Sequence, residues 1–86
     1  MLEDIAKHAL QVEALAQAAQ QEGRYKLAMD LFEVASQLAF TVALHTDAAA
    51  NSAQYQHYKQ VAQTMREQKF AAADLQDKLD HPEDYV

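Results

Sequence analysis

Gly23 is the only glycine in the chain and Pro82 the only proline, and no cysteine occurs among the 86 residues. That punctuation excludes most folds. Hairpin turns draw on glycine, while disulfide frameworks and thiolate zinc sites need cysteine, so a chain poor in all of these is left with helices joined by few turns. Alanine points the same way. Of the 43 apolar residues 18 are alanine, the strongest helix former and a side chain small enough to let helix backbones come close. What alanine does not supply is burial. A core built from it is thin, and a domain of this size then needs a supplement such as oligomerisation.

Leu2, Ile5, Ala9, Val12, Ala16 and Ala19 alternate in steps of three and four, which predicts a first helix over about 2–21, with Leu10 and Leu15 widening its apolar stripe. Glu3 and Asp4 suit the positive end of its dipole, and Gly23 stops it by taking the left-handed conformation. The second helix, about 24–46, is apolar around most of its circumference, and Lys26, Asp30, Glu33, Gln37 and Thr41 make one narrow wet stripe along it. A helix apolar over so wide an arc is buried on several sides or meets a partner.

Thr46 or Asp47 can cap the third helix. The spacing of Tyr58, Val61, Met65, Gln68, Ala72, Leu75 and Leu79 carries that helix to about residue 79. Unbroken, it would run roughly 48 Å at about 1.5 Å per residue. The polar stretch Arg66, Glu67, Gln68, Lys69 leaves a bend near 66–69 open, and with it whether Phe70 turns inward or stays exposed. Pro82 cannot continue a helix and biases His81 toward extended geometry, so 1–80 is expected to form a single helical domain and 81–86 an acidic flexible tail.

At the junction of the first two helices, Gly23, Tyr25, Ala28, Phe32 and Ala35 follow the pattern GxYxxAxxx[YF]xxA. Leu15 and Ala16 precede it, Ala18 and Ala19 suit a close helix face, and Val12 stands where a tryptophan is usual. This resembles the tetratricopeptide repeat (TPR) over about residues 12–38. The second helix is longer than that repeat expects, no proline closes it, and EQKFAAADL at 67–75 is a poor second unit. A single hairpin followed by a long third helix is similar in layout to the three-helix microtubule-interacting and trafficking (MIT) module. Either resemblance implies a scaffold that holds a peptide or helix in a groove between helices and performs no chemistry.

The formal net charge is −6, which argues against binding nucleic acid, because that affinity comes largely from Lys and Arg neutralising phosphates. From Glu67 onward six carboxylates face only Lys69 and Lys78. Such a bias keeps an end soluble, or caps a basic surface in the manner of an inhibitor or antitoxin. Residues 1–20 show no apolar core of a signal peptide, and the apolar-rich run 38–44 is too short to span a bilayer. These features lead us to expect a cytoplasmic protein with no membrane partner.

Asp4 and His8, and Asp77 and His81, stand four apart and could each hold a metal ion, but an ordinary carboxylate–imidazole pair explains them as well. Neither an ExxH pair nor an HExxH motif occurs. Ser36 and Ser52 lack a nucleophile elbow, and there is no glycine-rich phosphate loop. We therefore expect no enzyme, no cofactor and no metal site. The expected fold is all-α, an antiparallel hairpin with a long third helix in a three-helix bundle. The expected function is a non-catalytic protein-protein interaction module or small adaptor that self-associates as a homo-oligomer and meets a protein partner, with a small-ligand- or metal-binding bundle as the alternative. Leu31, Val34, Leu38, Phe40, Val42, Leu44 and Phe70 are the expected interface.

Overall fold

The computed structural model describes residues 1–85. Three helices follow one another, α1 (Leu2–Gln21), α2 (Tyr25–Leu44) and α3 (Ser52–Asp80), and Pro82–Tyr85 coil into a single 3-10 turn. The all-α three-helix arrangement expected from the sequence is observed. α2 is the central element and packs against both α1 and α3. The Cα trace spans 52 × 20 × 13 Å. That cross-section is flatter than a closed triangle of helices would give, and α1 and α3 flare apart on one side of α2.

The α1–α2 turn is set by Gly23. Its φ is +79°, a conformation in which a Cβ would crowd the backbone. The amide of Gly23 donates to the carbonyl of Gln20 at 3.0 Å and that of Arg24 to Ala19 at 2.9 Å, the paired bonds of a Schellman cap. A Cβ built on Gly23 would meet nothing within 4 Å, so the torsion alone demands glycine here.

The second connection differs from expectation. Asp47 Oδ1 accepts from the amides of Ala49 and Ala50, closing a local turn rather than starting a helix. Asn51 takes the cap, its side chain accepting from the Gln54 amide at 3.1 Å, and α3 therefore begins at Ser52. Thr46 Oγ1 donates to the Val42 carbonyl and accepts from Gln54 Nε2, tying the end of α2 to the start of α3. From there α3 is one continuous helix through residues 66–69. At the far end His81 leaves the helical region, with φ −135° and ψ +63°, in keeping with the bias of a residue before proline against the α conformation. Of the expected tail, 82–85 form the 3-10 turn, and Val86 lies outside the described residues.

Among the described residues the buried apolar set is ten alanines plus Phe32, Val42 and Met65. Two clusters draw on all three helices. One holds Ala9, Ala35, Ala39, Ala62 and Met65, with Val12, Leu38 and Val61 packed on it; the other holds Ala16, Ala19, Ala28, Phe32 and Ala72, with Met29 and Leu31 on it. Small side chains let the helices approach closely, and one large side chain per cluster fills the space between them. Ala28, Phe32 and Ala35, the TPR-like positions, are all buried, whereas Ala18 is exposed. Leu10 and Leu15 are exposed too, so they do not widen the buried face of α1.

Candidate interaction surfaces

The seven residues singled out on α2 and α3 divide into three sets. Leu31 and Leu38 are half-buried and lean on the two core clusters. Val42 is 1% exposed and belongs to the interior, so it offers nothing to a partner. Val34, Phe40, Leu44 and Phe70 are exposed. They do not form one patch. Leu27, Leu31, Val34 and Leu38 recur at steps of four, three and four on one side of α2. Phe40 lies on the other side, toward α3, and Phe70 is on α3 itself.

Phe40 lines a shelf of about 230 Å³ between α2 and α3, together with Ser36, Lys59, Ala62, Gln63 and Arg66. Ser36 is buried and spends its hydroxyl on the carbonyl of Glu33 at 2.8 Å. The Lys59 ammonium stands 5.6 Å from the Tyr55 ring centroid, within cation–π range. The shelf is therefore an apolar floor with two cationic groups at its rim, on a chain that is acidic overall. Helical spacing could have found it, since Lys59 and Arg66 are seven apart with Ala62 and Gln63 between them.

Next to this shelf Glu33 joins α2 to α3. Its carboxylate accepts from Lys69 Nζ at 3.1 Å and from Gln37 Nε2 at 3.1 Å. The hydrogen bond from Lys69 holds the Glu33 carboxyl below its ordinary value, against a smaller opposing effect of burial; Gln37 and the field of Arg66 help to lower it. The Lys69 ammonium also lies 5.5 Å from the centroid of the Phe70 ring.

On the opposite side, where α1 and α3 flare apart, a groove of about 400 Å³ is lined by Gln17, Gln20, Gln21, Tyr25, Phe32, Gln68 and Leu75. Four glutamines thus line one concavity. Gln68 Oε1 is buried with no hydrogen-bond partner among the described residues; a water in the groove would satisfy it. Leu75 shares this groove with Gln20 and Tyr25, and Leu79, one turn further on, is exposed.

Both histidine pairs lie on the surface. His8 Nδ1 donates to the backbone carbonyl of Asp4 at 3.0 Å. The amide of His81 donates to the carbonyl of Asp77, and its ring lies 3.9 Å from Glu83. His81, Glu83 and Asp84 do bring one potential ligand atom each within 4.8 Å of one another, but all three are exposed. By length and composition alone α2 is apolar enough to cross a membrane, a test that the core helix of a water-soluble bundle also passes. The chain shows no significant match to a known protein family, to a curated protein or to a solved structure.

Proposed function

We propose that this chain is a non-catalytic protein-interaction module that associates through the surfaces of α2 and α3, with copies of itself among its partners. The observation that carries the proposal is apolar surface left without cover. Val34, Phe40, Leu44 and Phe70 remain exposed on a domain whose interior is mostly alanine and which therefore gains less from its own core than a domain of this length usually does. Covering those side chains with a second chain supplies burial that the monomer lacks. The hairpin of α1 and α2, with its Schellman glycine and buried Ala28, Phe32 and Ala35, is compatible with the TPR-like or MIT-like kind of scaffold that the sequence resembles.

Light scattering over a dilution series tests the proposal directly. The expected result is an average mass above that of one chain, falling toward it on dilution. A monomer at every concentration, with Val34→Asp and Phe40→Asp variants as soluble as the parent, would overturn the self-association.

A further inference from the structure

We propose that the outer face of α3 is a self-recognition surface, on which two copies of the chain pair antiparallel about a two-fold axis. This rests on the reading above that the chain self-associates, and it specifies the face and the orientation.

Because α3 is continuous from Ser52 to Asp80, residues three and four apart line up along it. Lys59, Gln63, Arg66, Phe70, Ala73, Asp77 and Asp80 succeed one another at alternating steps of four and three. All but Ala73 are exposed, whereas Met65 and Ala72 are buried against the rest of the bundle. Alternating three-four spacing is that of a seam between two helices. This seam carries apolar groups only at its middle, at Phe70 and Ala73. Phe70 is 57% exposed, and the Lys69 ammonium lies 5.5 Å from its ring centroid.

Charge is sorted along the same face. From Ser52 to Arg66 the only formally charged side chains are Lys59 and Arg66; beyond residue 70 the face carries Asp77 and Asp80, flanked by Asp74 and Lys78 and followed by Glu83 and Asp84. A parallel pair would set like charge on like. An antiparallel pair sets the basic half of each helix on the acidic half of the other, and two-fold symmetry makes every such contact twice. It also opposes the two helix dipoles favourably. With Phe70 opposite the partner's Ala73, a large side chain meets a small one. The same alignment sets Arg66 opposite the partner's Asp77 and Gln63 opposite the partner's Asp80, where α3 ends. The Phe40 shelf, which Lys59 and Arg66 also line, widens the apolar floor beside the basic half.

A charge-swap experiment on the full chain tests this. Sedimentation equilibrium is measured at fixed pH and ionic strength for the wild type, for R66E, for D77R and for an equimolar mixture of the two variants. Both positions are exposed, so circular dichroism should show unchanged helix content. Each variant alone sets like charges opposite one another twice, and its self-dissociation constant should rise about tenfold or more. In the mixture both contacts become attractive again, and pairing should return as a heterodimer to within about threefold of the wild type. If the wild type associates but the single variants are unaffected, or the mixture does not pair, the α3 face is wrong while self-association stands. If the wild type is monomeric throughout, both fall.

Discussion

Phe32 and Phe70 are the same residue type in opposite surroundings, and truncating each to alanine separates core from surface. Phe32 is 1% exposed and sits among Ala16, Ala19, Ala28 and Ala72. Alanine has no side-chain torsion with which to lean into a void, so Phe32→Ala should leave most of its cavity unfilled and cost about 3–5 kcal/mol. A domain of 86 residues has a total stability of only about 4–13 kcal/mol, so the loss removes a large share of it. With an unfolding entropy of about 2.1 cal/mol/K per residue, a loss of about 4 kcal/mol lowers Tm by roughly 20 °C. Phe70→Ala, measured where the chain is monomeric, should cost no more than about 0.5 kcal/mol, as is usual for surface substitutions. Urea and thermal unfolding followed by circular dichroism would measure both. A cost at Phe32 below about 2 kcal/mol, or no greater than that at Phe70, would refute the alanine-lined core as the source of stability.

Three further substitutions probe local devices. Gly23→Ala forces a Cβ into the left-handed conformation and should destabilise by about 1–2 kcal/mol in urea unfolding, although space for the methyl group is open. Asn51→Ala should cost about 1 kcal/mol by removing the cap of α3, and Asp47→Ala less, because Asp47 closes only the preceding turn. Glu33→Gln tests the link between α2 and α3. Because its folded pKa lies below the ordinary 4.5, the pair with Lys69 stabilises above that value and fades as pH falls through and below it. The variant should be less stable than the parent at pH 7, by no more than about 1 kcal/mol, and the gap should shrink as the pH is taken down below 4.5. A gap that does not shrink on acidification would mean that packing, not charge, sets the effect.

Local requirements were the most readable. The left-handed torsion after α1 can be met cheaply only by glycine, so Gly23 announced the turn, and the small and aromatic residues after it announced the close face of α2. Val42 escaped because α2 is apolar almost all round, and periodicity cannot say which part of so wide an arc faces inward; α1 and α3 together decide that. The start of α3 escaped because Thr46, Asp47 and Asn51 all have capping chemistry. Asp47 closes its own turn, and the choice among them depends on where the chain must enter α3. Basic residues that look scattered along the sequence, Lys59 and Arg66 above all, come onto one face only once α3 is known to run unbroken past Arg66, Glu67, Gln68 and Lys69. That same continuity leaves Phe70 exposed.

The length of α3 is the feature that the hairpin does not explain. α1 and α2 have 20 residues each and α3 has 29, and its last turn, 77–80, is exposed. Helix extended in this way buries little within the chain, since Asp77, Lys78, Leu79 and Asp80 are all exposed, and each ordered residue costs about 1–2 kcal/mol of backbone entropy. Intrahelical hydrogen bonds and contacts such as that of Gln76 Nε2 with Asp80 offset part of that cost. On the proposed pairing this last turn also meets the second chain: it carries Asp77 and Asp80, which lie opposite Arg66 and Gln63 of the second copy. A shorter α3 would keep the basic half and the Phe40 shelf but lose the acidic half that answers them. Helix length and charge order on α3 therefore belong to one arrangement, in which the exposed last turn is a portion that a second chain would use.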